Sequence, residues 1–250
     1  MIEKIIEFIR SQNKLLGTNG GCAGLSGGLD SSVCATLIAK AIGPSNCLGV
    51  IIPAPDSNPQ DAIDAERLAG YLGIRTIYHP LNFREFYFED RDFEKEIKPL
   101  LLSMDKLLPP QIELPYIMKL RGRMYIATYY ARKNNYFQCQ TLEKTEWMLG
   151  WFDKFGDGVG DIAPIFHLYK TEVRELAKSI GVPDFILNRS PTSGNYPLTD
   201  EEELGMGLEE ADTILKKLDK GITEENDKFK KIEHLVNISK PKREIPLWIS

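Results

Sequence analysis

The feature that most constrains this chain is the glycine-rich loop GLSGGLDSS at residues 24–32, which joins an apolar run to a helical pattern. The apolar run GCAGL (21–25) predicts a buried strand, and SSVCATLIAKAIG (31–43) predicts a helix that ends at Gly43. Glycines let the backbone approach an anion, and the amides and dipole at a helix start favour negative charge there. The loop therefore predicts a phosphate site between a strand and a helix.

The polar residues of the loop specify the kind of phosphate site. It has neither the lysine of a Walker A motif nor the spacing of the dinucleotide fingerprint, but the hydroxyls of Ser26 and Ser31 can donate to phosphate oxygens. Asp30 cannot bind phosphate directly, because like charges repel, so its carboxylate predicts a bridging Mg²⁺. The alternative is an ordinary Gly-Gly turn in which Asp30 caps the helix. The full S-G-G-x-D-S pattern after an apolar strand favours the phosphate site.

Helical and apolar patterns alternate around this loop. Residues 2–16 predict a helix, and the loop is followed by patterns for a strand at 47–55, a helix at 58–74 and a strand at 75–81. Strands and helices at this spacing imply right-handed crossovers and a parallel sheet. The predicted fold class is therefore α/β, a doubly wound, Rossmann-like parallel sheet flanked by helices.

A charged segment rich in Phe and Leu (82–115) interrupts this alternation. The patterns that follow predict a helix at 116–135, strands at 136–142 and 161–168, a helix at 170–183 and a helical region at 200–236. We expect one domain, residues 1–250, with an α/β core at about 20–200 and a helical annex with a basic tail at about 200–250.

Net charge and cysteine spacing indicate which partners and which cell compartment to expect. A net charge of −5 gives no electrostatic footprint for nucleic acid or an anionic membrane, so neither partner is expected. No signal peptide pattern or long apolar span is present. The four cysteines are Cys22, Cys34, Cys47 and Cys139. Their spacing matches neither a metal-binding nor a redox motif, so we expect them to be reduced, which predicts a cytoplasmic protein.

Several motifs together resemble one enzyme family. The S-G-G-x-D-S loop is similar to the pyrophosphate loop of ATP pyrophosphatases (the PP-loop superfamily), but several branches of that superfamily share it. The rest of the chain resembles the ammonia-dependent NAD synthetase branch from about residue 20 to the tail. The segments that carry the resemblance are RGRM (121–124), TLEKTEWMLGWFDKFGDGVGDIAPI (141–165), LYKTEVRELAKSIGVPDFIL (168–187), SPTSG (190–194) and TDEEELG (199–205).

The resemblance implies a ligase of NAD biosynthesis with Mg²⁺ as cofactor and ATP as co-substrate. ATP would adenylate the nicotinate carboxylate of deamido-NAD and release pyrophosphate. Ammonia would then displace AMP and give NAD. No glutaminase segment is evident, so the expected nitrogen donor is free ammonia or ammonia from another chain. The resemblance also implies a homodimer, for which MYIATYY (124–130) is apolar enough, although burial within the chain explains that segment equally well.

The resemblance also implies roles for individual residues. The magnesium ligands would be Asp30 and Glu146, and the catalytic residues would be Ser26, Asp30, Glu146 and Asp157. The ATP-binding residues would be Gly24, Leu25, Ser26, Gly27, Gly28, Leu29, Asp30, Ser31, Thr141, Lys170 and Thr192. The residues that contact deamido-NAD would be Arg121, Lys154, Asp161 and Lys242.

Some of these residues have simpler interpretations. Glu146 could be a solvated helix charge, Lys170 a surface lysine and Asp157 an ordinary turn residue before glycine. A lysine at a helix start is disfavoured by the helix dipole unless an anion lies nearby, which supports the phosphate interpretation of Lys170. Arg121 and Arg123 are two residues apart on a predicted helix, so one of them is expected in solvent, and the resemblance selects Arg121.

The chain departs from the family pattern mainly where the acceptor should lie. The departing residues are Ile117 for Asn, Gln140 for Gly, Glu143 for Asn, Asp153 for Thr, Gly194-Asn195-Tyr196 for Gly-Leu-Trp, and Pro241 for His. Three alternatives therefore stay open: a related PP-loop ligase that amidates a different carboxylate, a tRNA-modifying relative, and an inactive nucleotide-binding paralogue. The acidic composition disfavours the tRNA relative, and retention of both magnesium carboxylates disfavours the inactive one.

Overall fold

The centre of the molecule is a parallel sheet of four strands. The computed structural model describes residues 1–82, 109–189 and 199–244. Within these ranges the strand order is β3-β2-β1-β4, and all three pairings are parallel. The strands are β1 (Gly20–Gly24), β2 (Cys47–Ile51), β3 (Arg75–Tyr78) and β4 (Tyr136–Cys139). The chain runs from β1 outward to β3 and then returns to the other side of β1, so the carboxyl ends of β1 and β4 flank a topological switch point.

Helices cover both faces of the sheet, which confirms the predicted α/β class. Those in the described ranges are α1 (Ile2–Leu15), α2 (Leu29–Ile42), α3 (Pro59–Leu72), α4 (Pro109–Lys133), α5 (Lys144–Leu149), α6 (Lys170–Ile180), α7 (Asp184–Leu187), α8 (Asp200–Leu204), α9 (Leu208–Leu218), α10 (Asp227–Ile238) and α11 (Lys240–Arg243). Among these helices, none has both the length and the apolar composition needed to cross a bilayer.

The alternation of side chains along the strands explains why the sheet is covered twice. In β1, Ala23 belongs to a core with α1, α2, α3 and α6, whereas Cys22 belongs to a core with Ile126 and Ala131 of α4. Neighbouring residues of a strand point to opposite faces. All four cysteines are buried free thiols.

A further buried cluster joins α5 and the start of α6 to the C-terminal helices. Phe229 of α10 and Leu215 of α9 are fully buried in it, together with Met148 and Leu149 of α5 and Tyr169 before α6. The helical pattern expected at 200–236 is confirmed by α8, α9 and α10. The division into an α/β core and a helical annex stays a proposal, which this cluster supports.

The strand predicted at 161–168 is wrong. Within it only Ile162 pairs with the sheet, in a single bridge to Cys139, and turns follow. Pro164 has no N–H to donate and so cannot extend the ladder. The strand predicted at 136–142 is also shorter than expected, because β4 ends at Cys139.

Candidate active site

The glycine loop leaves the carboxyl end of β1 and enters α2. Gly27 has φ of +75°, the left-handed region that favours glycine, and a Cβ atom there would collide with the carbonyl oxygen of Asp61. Arg189 holds the same turn, because its Nη1 donates to the Gly27 carbonyl at 3.1 Å and to Asp64 Oδ2 at 3.1 Å. The backbone of the loop is therefore fixed before any ligand binds.

Serine hydroxyls link the loop to the first turn of α2. The Oγ atoms of Ser26 and Ser31 lie 3.0 Å apart, and Ser26 Oγ accepts from the Gly28 amide at 3.2 Å. Ser32 Oγ donates to the Gly28 carbonyl at 2.6 Å. Gly28 is the N-cap of α2, and no described side chain caps that helix start. Its first amides are therefore left for an anion, as a phosphate loop requires.

Asp30, Glu146 and Lys170 form a carboxylate–lysine cluster beside this loop. Lys170 Nζ lies 2.6 Å from Asp30 Oδ2 and 3.5 Å from Glu146 Oε1. Burial alone would lower the pKa of Lys170, but the surrounding carboxylates outweigh it and raise that pKa well above its usual value. The first turn of α2, the α5 helix and the α6 helix each supply one member, so the fold brings together three residues that are distant in sequence.

The second oxygen of Asp30 fits a metal-binding role. Asp30 Oδ1 is buried and has no hydrogen-bond partner among the described residues. An orphaned buried carboxylate oxygen is costly and calls for a ligand. In the described ranges, no group of three or more potential ligand side chains surrounds a common point. Two carboxylates, completed by phosphate oxygens and water, are the coordination that Mg²⁺ prefers, so Asp30 and Glu146 fit magnesium.

Glu146 is placed by a capping box at the start of α5. The fully buried carboxylate of Glu143 accepts from the amides of Thr145 at 2.6 Å and Glu146 at 2.8 Å. Burial raises the pKa of Glu146 to about 7, and Lys170 opposes that rise. Burial also raises the pKa of Glu143. A cation would therefore relieve a site that is rich in buried carboxylate.

A cavity of about 260 Å³ opens over the switch point and includes this cluster. Of the residues predicted to bind ATP, it is lined by Gly24, Leu25, Ser26, Gly28, Leu29, Asp30, Ser31, Thr141 and Lys170. Glu146 and Asp157 line it as well, and burial raises the pKa of Asp157 to about 6. Thr192 lies outside the described residues.

Sequence reasoning missed three arginines that line the same cavity, Arg123, Arg174 and Arg189. Arg174 is half-buried one helical turn after Lys170, and no described residue pairs with it. Spacing could have found Arg174, because residues four apart share a helix face. Arg123 donates to the carbonyl of Ile52 at 3.3 Å, so the arginine expected to be in solvent lies in the cavity.

The three predicted acceptor cations lie around residues 150–155. Arg121 is half-exposed and makes two bonds to Asp153, at 2.9 and 3.1 Å. Lys242 Nζ donates to the carbonyls of Gly150 at 2.8 Å and Phe152 at 3.1 Å, and Lys154 Nζ donates to tail carbonyls. The role of these cations toward an acceptor stays a prediction.

Asp161 lies apart from these cations. Its carboxylate accepts from Arg132 at 2.7 Å and from the Gln138 amide at 2.7 Å, which fixes the chain next to β4. Its contact with the acceptor likewise stays a prediction.

Two of the residues that depart from the family pattern have structural roles. Glu143 forms the capping box of α5, and Asp153 pairs with Arg121. A third, Gln140, is buried, and its backbone N–H donates to the Ile162 carbonyl at 2.8 Å. Ile117 is half-buried, and the carbonyl of Pro241 accepts from Lys154. The residues from 194 to 196 lie outside the described ranges.

Comparisons with known proteins agree on one family. The profile of the NAD synthase family matches residues 1–246. The chain is 39% identical to the NH3-dependent NAD⁺ synthetase of Methanocaldococcus jannaschii over 90% of this chain and 83% of that protein. It is 35% identical to the protein of the same name from Archaeoglobus fulgidus, over 98% of this chain and 94% of that protein.

A solved structure extends this similarity. The structure of NMN synthetase from Francisella tularensis matches with a TM-score of 0.80 and 28% identity, over 99% of this chain and 96% of that one. The switch-point cavity, its glycine loop and the sequence similarity along almost the whole chain lead to the same assignment. The chain belongs to the NAD synthase family.

Proposed function

We propose that this chain is an ammonia-dependent NAD synthetase, which converts deamido-NAD, ATP and ammonia into NAD, AMP and pyrophosphate. The observation that carries the proposal is the carboxylate–lysine cluster, because it places two half-buried acids and a lysine against an uncapped helix start. Such an arrangement suits a substrate that is a polyphosphate with a bound cation.

The first step is adenylation of the acceptor. An oxygen of the nicotinate carboxylate attacks the α-phosphorus of ATP, and the bond to the pyrophosphate group breaks. The amides of the loop, Lys170 and Arg174 supply positive charge on the side where pyrophosphate leaves. The hydroxyls of Ser26 and Ser31 can turn from each other to the phosphate oxygens.

Asp30 and Glu146 would hold the magnesium ion. When bound, Mg²⁺ would neutralise phosphate charge and orient the leaving group. The buried Asp30 Oδ1 without a partner in the described structure supports this assignment.

The second step forms the amide bond. The nitrogen of ammonia attacks the acyl carbon, AMP leaves with the bonding electrons, and the new amide loses one proton. Asp157 is the candidate acceptor for that proton, since it lines the cavity and burial raises its pKa to about 6. A base with a pKa in this range is ionised at neutral pH and can take up a proton.

A mononucleotide is a second candidate acceptor. The Francisella tularensis relative is named an NMN synthetase, and a mononucleotide carries the same reacting carboxylate without the adenylate half. Arg121 and Lys242 already have partners within the chain, on Asp153 and on backbone carbonyls. Both observations favour testing a smaller, less anionic acceptor beside deamido-NAD.

We further propose that the protein is a cytoplasmic homodimer. Tyr125 and Tyr129 of α4 are 66% and 51% exposed, and Phe155 is 61% exposed. Large exposed aromatic side chains are enriched at protein interfaces. Light scattering after size-exclusion chromatography would give twice the chain mass for the dimer, and Tyr129→Lys would reduce it to the monomer mass.

The activity assay uses the purified chain with ATP, Mg²⁺ and a nitrogen source. With ammonium and deamido-NAD we expect NAD by mass spectrometry, at a rate that rises with pH as ammonium becomes ammonia. Glutamine should not replace ammonium. Parallel reactions with nicotinate mononucleotide give the ratio of kcat/KM for the two acceptors. A ratio that favours the mononucleotide, or product from neither acceptor, would reject deamido-NAD as the substrate.

A further inference from the structure

Asp212 of α9 is a buried carboxylate outside the cavity. It is hydrogen-bonded to α5, which carries Glu146, and to α6, which carries Lys170. The residue is 2% exposed. Asp212 Oδ1 accepts from Thr145 Oγ1 at 2.6 Å, and Oδ2 accepts from the amide and hydroxyl of Thr171 at 2.8 and 2.7 Å. Thr145 and Thr171 are the sequence neighbours of Glu146 and Lys170.

A second bond closes this network. Thr145 Oγ1 donates to Asp212 and accepts from the Lys170 amide at 3.0 Å. The starts of α5 and α6 are therefore joined to each other through the Thr145 hydroxyl and to α9 through Asp212. Because a hydroxyl has one proton, the carboxylate dictates its direction and leaves its lone pair for Lys170.

Burial of this carboxylate makes sense only with all of its bonds in place. A buried ionised group is costly unless it is fully hydrogen-bonded. The negative charge lies at the amide end of α6, where the helix dipole favours it. That same dipole disfavours the ammonium of Lys170, the first residue of the helix, so Asp212 offsets part of the cost of keeping a lysine there.

We propose that Asp212 is a positioning residue for the reaction, which holds Glu146 and Lys170 at the spacing that the magnesium and phosphate groups require. This proposal rests on the proposed function of those two residues. Asp212 touches neither ligand. It acts through Thr145 and Thr171, and it makes the C-terminal helices part of the geometry of the site.

The test substitutes both ends of the network. Asp212→Asn keeps the size of the side chain but loses one acceptor oxygen, and we expect pyrophosphate release to fall at least tenfold. The Mg²⁺ concentration that gives half-maximal activity should rise by a similar factor. Thr145→Val removes the shared hydroxyl and should cause a comparable loss, whereas Thr145→Ser should recover most of it. If Asp212→Asn does not fold, the two Thr145 variants decide the outcome.

Asp219→Asn is the matched control. Asp219 lies at the end of the same helix and pairs with Lys144 at 2.6 Å, but the pair is partly exposed and should matter little. Its activity and magnesium dependence should equal those of the wild type. A folded Asp212→Asn enzyme with normal turnover and magnesium dependence, or equal losses in the two Thr145 variants, would overturn the proposal.

Calorimetric binding of ATP with Mg²⁺, without acceptor, separates this proposal from the proposed function. A wild-type chain that binds ATP with Mg²⁺ but makes no NAD would reject the acceptor assignment alone. Weaker binding in Asp212→Asn than in Asp219→Asn would then still support the positioning role, and equal binding would reject it.

Discussion

At the residue scale, the two oxygens of Asp30 differ in their surroundings, since Lys170 occupies one and the other is buried without a described partner. Asp30→Asn should therefore leave the fold intact and lower pyrophosphate release by about a hundredfold or more, as the loss of a metal carboxylate removes several kcal/mol of transition-state stabilisation. Steady-state kinetics with a pyrophosphate assay measures this. Glu175→Gln, an exposed acid of α6, is the control. Normal turnover and magnesium dependence in Asp30→Asn would show that Asp30 is not a metal ligand.

Arg174 is a half-buried cation of the cavity for which the described structure offers no counter-ion. We expect Arg174→Ala to raise the half-saturating ATP concentration by about ten- to a hundredfold, because a hydrogen bond to a charged group contributes about 1.5–3 kcal/mol. Arg174→Lys should retain part of the affinity. An unchanged value for ATP in the alanine variant would place this arginine outside the nucleotide site.

Asp153 neutralises Arg121 through two bonds, at a position where the family pattern has threonine. In Asp153→Asn the guanidinium should be free to bind an anionic acceptor. The half-saturating concentration of deamido-NAD should then fall several-fold, while that of ATP stays constant. A double variant with Arg121→Ala should abolish the gain. If the gain persists in the double variant, Arg121 does not contact the acceptor.

At the scale of elements, the segment from 150 to 158 depends on a half-buried acid, Asp157. Asp157 Oδ1 accepts from the Asp153 amide at 2.8 Å, and burial raises the pKa of Asp157 from 3.8 to about 6. The folded state therefore binds more protons than the unfolded state between these values, so this group makes stability fall as pH rises from about 4 to about 6.

Asp157→Asn keeps an acceptor for that amide and removes the titration. We expect the variant to be more stable than the wild type at pH 7, by roughly 1–3 kcal/mol, and equally stable near pH 4. Urea unfolding at a series of pH values measures the difference. A constant difference across this range would mean that the charge of Asp157 is not the cause.

Sequence patterns predicted most elements because the chain supplies both periodicity and stop signals. The helix predicted at 58–74 ends as α3 with Gly73 in the left-handed conformation, and α6 ends at Gly181 in the same way. The strand predicted at 161–168 failed because its apolar composition arises from turn packing, with Ile162 and Ile165 buried but only one bridge formed. Apolar content alone does not distinguish these two cases.

Site residues that lie within one short sequence motif were predictable, whereas contacts between residues that are distant in sequence were not. The glycine loop and Asp30 follow from one short segment. The bonds from Asp212 to Thr145 and Thr171 join residues that are 67 and 41 positions apart, and no spacing rule connects them. Arg121 and Arg123 show the same limit, because helix periodicity separates their faces without saying which face meets the sheet.

At the scale of the whole molecule, the sheet order places the β1 loop and the segment after β4 side by side. Asp212 of the C-terminal helices bonds to Thr145 in the segment after β4 and to Thr171 at the start of α6. This arrangement is expected to cleave ATP between its α- and β-phosphates, so that the acceptor carboxylate becomes joined to AMP. When ammonia then displaces AMP from the acyl carbon, the carboxylate oxygen that attacked the α-phosphorus leaves with AMP.

The most direct measurement uses deamido-NAD with ¹⁸O in both oxygens of its nicotinate carboxylate. After reaction with ATP, Mg²⁺ and ammonium, mass spectrometry of the products should find one ¹⁸O atom in each AMP, one in the amide of NAD and none in pyrophosphate. Unlabelled AMP, or ADP and phosphate in place of AMP and pyrophosphate, would contradict the adenylation mechanism.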